Sequence, residues 1–227
     1  MVAQLSIVIP TLNAEGHLPA CLTALVEGVT AGVVRDLVVS DGGSTDATCM
    51  IADEAGAWVL TGPASRGGQL CRAMKRVRGT WCLVLHADTV LAPGWSDVVA
   101  DHMRNADGPA YFQLALRARG FMPGWVAGWA NLRSRVFSLP YGDQGLLIAL
   151  TDYARTGGYP DTPFMEDVAL VRALDKPLTA LPITATSSAE RYIRTGWVRC
   201  GLRNLLALLR YLAGTDPEVL AAAYRRR

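Results

Sequence analysis

The sequence predicts an α/β fold in which helices flank a mostly parallel sheet. Strand-like runs alternate with helix-like segments through the first half of the chain, as expected for successive β-α units. One run, residues 81–85, holds no charged residue and is followed by His86 and Asp88. Such a run is typical of a strand buried on both faces. The ends of these strands are where open α/β sheets hold ligands.

Apolar, β-rich runs predict the strands of the first half, and capping residues mark the helices between them. Asn13 is available as the N-cap of the first helix, and Ser44 or Thr45 as that of the second. The predicted elements are strand 4–9, helix 14–27, strand 36–40, a helix running through 51–54, strand 58–60, helix 69–77 and strand 81–85.

The second half is less regular. Its predicted elements are strand 111–117, a broken helix over 121–138, strand 144–150, helix 165–174, helix 197–212 and a last helix opened by Thr215-Asp216-Pro217-Glu218. We therefore expect an α/β domain over residues 1–190. A basic, amphipathic helical extension over 191–227 would pack on or near it.

Composition excludes several classes of protein. A net charge of +2 in 227 residues gives no general nucleic-acid surface. The five cysteines are scattered and form no Cys-x-x-Cys pair, which favours a reducing cytoplasm and argues against a zinc site. The N-terminus shows no secretory signal, and no apolar run reaches the roughly 18 residues of a membrane span. We therefore expect a cytoplasmic protein.

The C-terminal segment is strongly basic. From Glu190 onward it holds eight arginines against three acids, and Leu202, Leu205, Leu206 and Leu209 recur at helical spacing. A basic, leucine-rich helix could face an anionic membrane surface at the inner side of the cell, an acidic partner or a phosphate-bearing ligand. The alternative, which we favour, is a packing helix with a solvated arginine face.

Two glycine-rich loops follow predicted strands. In Asp41-Gly42-Gly43-Ser44-Thr45-Asp46 the glycines allow a sharp turn close to a ligand, and Asp41 offers two acceptor oxygens. In Ser65-Arg66-Gly67-Gly68-Gln69 the amides of a helix start lie beside an arginine, which suits an anion. Both patterns also occur as ordinary turns and helix caps.

His86 and Asp88 are candidates for binding a divalent cation. In an extended segment, residues i and i+2 face the same side, so both side chains could reach one ion. A carboxylate together with water and phosphate oxygens suits Mg²⁺ or Mn²⁺. The alternative for His86 is a satisfied histidine at a strand end.

Two further polar segments could carry chemistry. Glu166 and Asp167 lie at a predicted helix start, where the helix dipole favours anions by ~0.3–1 kcal/mol. The dipole alone would account for the pair, yet a carboxylate kept ionised in this way can also accept a proton. The loop 142–145 could orient a substrate or merely turn the chain.

These segments together resemble a family 2 glycosyltransferase of the GT-A fold. Residues 7–13 resemble the opening strand and Pro-x-x-Asn loop, and residues 39–46 match the Asp-Asp-Gly-Ser-Thr-Asp loop with Gly42 in place of the second Asp. His86-Ala87-Asp88 stands at the Asp-x-Asp metal site, and Glu166-Asp167 at the Glu-Asp pair. The Leu-His-Ala-Asp-Thr, Gly-Asp-Gln-Gly, Met-Glu-Asp and Gly-Trp-x-Arg segments together are similar to a small bacterial subgroup linked to arsenosugar synthesis.

The resemblance implies an inverting enzyme that moves a sugar from a nucleoside-diphosphate sugar, first of all a UDP-sugar, to an acceptor hydroxyl. Asp88, with His86, would hold Mg²⁺ or Mn²⁺, and Asp167 would be the general base beside Glu166. The implied nucleotide-binding residues are Pro10, Thr11, Asn13, Asp41, Gly43, Arg66, Gly67 and His86. The implied acceptor residues are Gly142, Asp143, Gln144 and Glu166.

One alternative remains open at the level of sequence. A non-catalytic nucleotide-sugar-binding protein could keep the same fold, and His86 in the place of an acid favours it slightly. Retention of Asp88, Glu166 and Asp167 favours the enzyme.

Overall fold

The structure is a computed structural model that describes residues 3–106 and 108–225. Within these residues eight strands form one sheet: β1 Leu5–Thr11, β2 Val34–Asp41, β3 Trp58–Thr61, β4 Trp81–Val84, β5 Val90–Leu91, β6 Ala110–Arg117, β7 Leu146–Ala149 and β8 Thr179–Ser188. The same residues form ten α-helices: α1 Leu18–Thr30, α2 Thr48–Glu54, α3 Arg66–Met74, α4 Trp95–Asn105, α5 Phe121–Phe137, α6 Leu150–Arg155, α7 Glu166–Arg172, α8 Glu190–Thr195, α9 Trp197–Leu212 and α10 Pro217–Arg225.

The sheet has the strand order β3-β2-β1-β4-β7-β6-β8-β5. Strands β3, β2, β1 and β4 run parallel, as β6 and β8 do. Strand β7 lies antiparallel between β4 and β6, and β5 pairs antiparallel with β8. The predicted α/β fold, a mostly parallel sheet flanked by helices, is confirmed.

Strand β1 explains why the sheet is covered on both faces. Leu5, Ile7 and Ile9 pack into one hydrophobic cluster, which also contains Trp95 of α4. Val8 points the other way, into a second cluster with Leu70 of α3. Alternate residues of a strand face opposite sides, so β1, which is buried at six of its seven positions, packs on both. The carboxyl ends of β1 and β4, two neighbouring strands inside the sheet, therefore lie between helices that cover both faces.

The predicted caps of the first two helices are wrong. Helix α1 begins at Leu18 rather than near Ala14, and α2 begins at Thr48. Asn13 instead accepts a hydrogen bond from the Thr45 amide at 2.9 Å, and the Ser44 hydroxyl accepts one from the Asn13 amide at 2.7 Å. These side chains tie the loop after β1 to the loop after β2.

Residues 121–137 form one continuous helix, so the predicted broken helix is wrong. Pro123 lies in the first turn of α5, where a missing N–H costs no helical hydrogen bond. The helix packs along β6 through Ala127 and Ala130, which contact Leu114 and Leu116.

The three C-terminal helices pack on the rest of the chain. The rings of Tyr192 and Trp197 stack at 5.3 Å between centroids and join the cluster under α5. Leu208 of α9 and Leu220 of α10 pack with Val168 of α7. The domain boundary at residue 190 stays a prediction. Among the described residues, none of the helices has the length and apolar character needed to cross a membrane.

Candidate active site

A cleft with a volume of about 770 Å³ opens where β1 and β4 end. It is the place that the topology of an open α/β sheet predicts for a ligand. Ten of the residues predicted from the sequence line it: Pro10, Thr11, Asn13, Arg66, His86, Asp88, Gly142, Asp143, Glu166 and Asp167. The other four predicted residues, Asp41, Gly43, Gly67 and Gln144, are not part of this lining.

Asp41 organises the loop that follows β2. Its carboxylate is 1% exposed and accepts hydrogen bonds from the Thr11 hydroxyl at 2.9 Å and from the Gly43 and Ser44 amides at 2.7 Å each. Burial alone would raise the pKa of Asp41, but the hydrogen bonds from Ser44, Gly43 and Thr11 outweigh burial and lower it. Gly43 has φ +92°, a conformation that favours glycine. In this structure Asp41 thus holds the loop rather than facing the cleft.

The start of α3 places Arg66 in the cleft. The Gly67 amide donates to the Thr162 carbonyl at 3.0 Å, and a Cβ at Gly67 would lie 2.1 Å from the Pro160 carbonyl oxygen. Only glycine permits this approach between α3 and the loop that precedes α7. The contact brings Arg66 beside Glu166, with 3.5 Å between the arginine Nε and the carboxylate Oε1.

Asp167 joins α7 to the 3₁₀ turn Gly142–Gln144. Its Oδ2 accepts a hydrogen bond from the Gly142 amide at 2.8 Å, and its Oδ1 accepts one from the Val168 amide at 2.8 Å. Asp167 is also part of the cleft lining. Each carboxylate oxygen has two lone pairs, so one on each stays available to a ligand.

Glu166 is buried, with 1% of its surface exposed. Burial and, after it, the negative charge of Asp167 raise the pKa of Glu166 to about 7, while Arg66 opposes the shift. A carboxyl with this pKa is protonated in the folded protein under conditions where it ionises in the unfolded chain.

We expect the free energy of unfolding to fall as the pH rises from about 4.5 to about 7, because only the unfolded chain releases the Glu166 proton in this range. The side chain introduced by Glu166→Gln carries no charge at any pH. The fall in the free energy of unfolding should therefore be smaller in this variant by about 1–3 kcal/mol. Urea unfolding at several pH values measures the slope, with the exposed Glu54→Gln as control. An unaltered slope in Glu166→Gln would contradict the assignment.

Asp143 has a carboxylate oxygen with no hydrogen bond. Its Oδ1 is buried and has no partner among the described residues, although the residue lines the cleft. Burial first, and then the charges of Asp167 and Asp88, raise the pKa of Asp143 to about 6 against the opposing effect of Arg133 and Arg66. An unpaired buried acceptor of this kind is available to a donor group or a cation.

The sequence predicts that Gln144 contacts an acceptor, but its side chain is not part of the cleft lining. The side chain is 0% exposed. Its Nε2 donates to the Phe112 carbonyl at 3.2 Å, and its Oε1 accepts from the Ser134 hydroxyl at 2.6 Å. Gln144 thus fixes the 3₁₀ turn that carries Gly142 and Asp143.

His86 and Asp88 follow β4 in a turn rather than in an extended segment. The Thr89 amide donates to the His86 carbonyl at 3.1 Å, so the argument from alternating strand positions is wrong, although both residues line the cleft. The imidazole packs against Gly142, where a Cβ would lie 2.4 Å from Nε2. Burial, and secondarily Arg66, lower the pKa of His86 well below its ordinary value, so the ring is neutral.

The far wall of the cleft comes from helices that sequence reasoning did not connect with the site. The Arg191 guanidinium lies 3.9 Å from the centre of the Tyr224 ring, and the centre of the Phe164 ring lies 4.6 Å from the same point. The Tyr224 hydroxyl donates to Asn204 at 2.6 Å. Nothing in the local sequence pattern signals this wall, because Phe164 and Tyr224 are 60 positions apart.

Comparison with a family model identifies the class of this protein. The model described as Glycosyl transferase family 2 matches residues 6–136, more than half of the chain. The matched segment contains Pro10, Arg66, His86 and Asp88 of the cleft. The chain therefore belongs to glycosyltransferase family 2. No curated protein matches its sequence.

Solved structures share the fold. One is S. aureus TarS 1–349 in complex with UDP, with a TM-score of 0.63, 17% identity, and coverage of 96% of this chain and 68% of that one. Another is glucosyl-3-phosphoglycerate synthase (GpgS) from Mycobacterium tuberculosis in complex with Mn²⁺, UDP and glucosyl-3-phosphoglycerate. Its TM-score is 0.58 at 18% identity, covering 82% of this chain and 70% of that one. Against a longer TarS chain the share of that chain falls to 41%.

Proposed function

We propose that the protein transfers a sugar from a nucleoside-diphosphate sugar, first of all a UDP-sugar, to an acceptor hydroxyl with inversion at the anomeric carbon. The observation that carries this proposal is the gathering of Asp88, Asp143, Glu166, Asp167 and Arg66 around one cleft. Family membership and the neighbours support it, since TarS has been solved with UDP and with UDP-GlcNAc, and GpgS with UDP and Mn²⁺.

The donor's diphosphate fits the side of the cleft formed by β1, β4 and α3. Thr11 and Asn13 lie at the end of β1, and Arg66 adds a positive charge at the start of α3. The Arg66 guanidinium can bind a phosphate oxygen while its Nε stays near Glu166. These residues bind and orient the nucleotide.

A divalent ion fits beside Asp88. The available protein donors are the Asp88 carboxylate, the neutral His86 ring and the unpaired Oδ1 of Asp143. No group of three or more His, Cys, Asp or Glu among the described residues forms a ready-made metal site. Mg²⁺ and Mn²⁺ commonly keep water and substrate phosphate among their ligands, so a small set of protein donors suits them. When bound, the ion neutralises charge on the departing diphosphate.

Asp167 supplies the general base in this proposal. It removes the proton of the acceptor hydroxyl, whose oxygen forms a bond to the anomeric carbon on the face opposite the diphosphate. The bond between the anomeric carbon and the diphosphate oxygen breaks, and the nucleoside diphosphate leaves with the electron pair. The hydrogen bonds from Gly142 and Val168 hold the carboxylate in place for this step. One displacement inverts the configuration.

The rival function is binding of a nucleotide sugar without turnover. It is favoured by the engagement of both Asp167 oxygens with backbone amides, which a purely structural carboxylate would also show. In this case the cleft would hold the donor and release it unchanged.

An assay of turnover separates the two functions. UDP-, GDP- and dTDP-sugars are supplied with Mn²⁺ or Mg²⁺ and a panel of hydroxyl acceptors that includes arsenosugar precursors. We expect UDP-sugar consumption to depend on the acceptor, and NMR to find the product anomer opposite to the donor's. Tight UDP binding without turnover for any donor would favour the binding protein, and a retained anomer would contradict the inverting reaction.

A further inference from the structure

Helices α5 and α9 each expose a stripe of large apolar side chains. These side chains are between 42% and 78% exposed: Phe121, Trp125, Trp129, Leu132 and Val136 on α5, and Val198, Leu202, Leu205, Leu209 and Leu212 on α9. Spacings of three and four residues place each set on one helix face. The opposite faces are buried through Ala127 and Ala130 on α5 and through Cys200 and Ala207 on α9. The exposed stripes are therefore not needed for the core.

The two stripes lie on neighbouring helices. Helices α5 and α9 contact each other, and Trp197 at the start of α9 packs into the same cluster as Ala127 and Ala130. We name these two stripes on adjacent helices the α5–α9 face. Soluble monomers rarely expose apolar surface on this scale, and such patches mark interaction sites.

The charged side chains of α5 and α9 are all of one sign. Neither helix contains an aspartate or a glutamate. Arg135, Arg199 and Arg210 are exposed and have no carboxylate partner within the described parts of the chain. At 100° per residue, Arg199 and Arg210 fall on one flank of the α9 stripe. Apolar residues with tryptophan at the centre and arginines at the edge are the pattern of helices that lie in a membrane interface.

We propose that the α5–α9 face binds the surface of an anionic lipid bilayer. Trp125, Trp129 and the leucines of α9 enter the boundary between headgroups and acyl chains, and the flanking arginines bind lipid phosphates. The expectation from the sequence concerned the C-terminal helix alone; the structure adds α5 as the second half of the surface. Because Asn204 on the inner side of α9 lines the cleft, bilayer binding would hold the cleft close to the membrane.

Sedimentation with vesicles tests the proposal on the full chain. Vesicles of equimolar phosphatidylcholine and phosphatidylglycerol should bind the protein at low salt, and phosphatidylcholine alone should bind it far less. We expect Trp125→Ser/Trp129→Ser and Leu202→Ser/Leu209→Ser each to lower the partition coefficient at least about tenfold. Arg199→Gln and Arg210→Gln should each lower it about fivefold on the anionic vesicles only. These side chains are exposed, so the fold should persist, which circular dichroism checks.

The matched control is Val26→Ser/Val29→Ser, which removes two equally exposed apolar side chains from α1 and should leave partitioning unchanged. Absence of vesicle binding by the wild-type chain overturns the proposal. So does a wild-type dimer that the α5 or α9 substitutions convert to a monomer, because the α5–α9 face would then be an interface between two copies. Partitioning does not depend on turnover, so its outcome is separate from that of the proposed activity.

Discussion

Asp167→Asn is expected to lower kcat by about 10²–10⁴-fold, the range that removal of a positioned general base typically costs. The asparagine amide has almost the shape of the carboxylate. Its oxygen can keep the hydrogen bond from the Gly142 amide at 2.8 Å, while its NH₂ group replaces the oxygen that accepts from the Val168 amide. It cannot take the proton of an acceptor hydroxyl. Donor affinity should stay within a few-fold of wild type, because Asp167 lies toward the acceptor in the proposed reaction.

Single-turnover kinetics with the UDP-sugar found in the donor panel measures this loss, and titration with UDP measures affinity separately. Asp53→Asn, which changes an exposed acid of α2 in the same way, should behave as wild type. Wild-type turnover by Asp167→Asn would place the base elsewhere. Asp143 would then be the next residue to replace, since its Oδ1 is buried in the cleft lining without a hydrogen bond.

The first four strands could be predicted because their signal is local. Strand β1 contains the apolar run Ile7-Val8-Ile9, and a short run of that kind between turn residues is typical of a strand buried on both faces. Strand β8 escaped prediction for the opposite reason: Thr179–Ser188 reads TALPITATSS, small and polar with Pro182 inside it. The register between β6 and β8 shifts between Tyr111 and Gln113, opposite residues 180–184, and this irregularity accommodates the proline. Such pairing depends on a partner strand that is remote in sequence.

The candidate site also contains some residues that could be predicted from the sequence and others that could not. Asp88 and Asp167 could be found because acids that follow a buried strand or start a helix have a chemical meaning at those positions. The hydrogen bonding of Asp41 could not be predicted, because its partner Thr11 is 30 residues away. The same holds for Gln144, whose side-chain amide donates a hydrogen bond to the carbonyl of Phe112, 32 positions earlier in the sequence. Sequence motifs located the cleft, and tertiary hydrogen bonds decided which motif residues face it.

Asp88→Ala is expected to abolish the dependence of turnover on Mn²⁺ or Mg²⁺ and to lower kcat by roughly 10²–10³-fold. Neutralising charge on a departing diphosphate is worth several kcal/mol, and each ~1.4 kcal/mol is a factor of ten in rate. Without Asp88 the remaining donors are the His86 ring, which carries no charge, and the Oδ1 of Asp143, and the described residues hold no cluster of three or more ligands. Calorimetry should accordingly find that Mn²⁺ no longer strengthens UDP binding.

A matched control is Asp97→Ala, which removes an exposed acid from the first turn of α4 and should keep the wild-type response to Mn²⁺. Asp143→Asn distinguishes two positions for the ion. If Asp143→Asn abolishes the metal response while Asp88→Ala retains it, the ion lies at the unpaired Oδ1 of Asp143 instead of beside the turn after β4. If both variants and a chelator leave turnover intact, the transfer proceeds without a divalent ion, and Arg66 becomes the group that neutralises the leaving diphosphate.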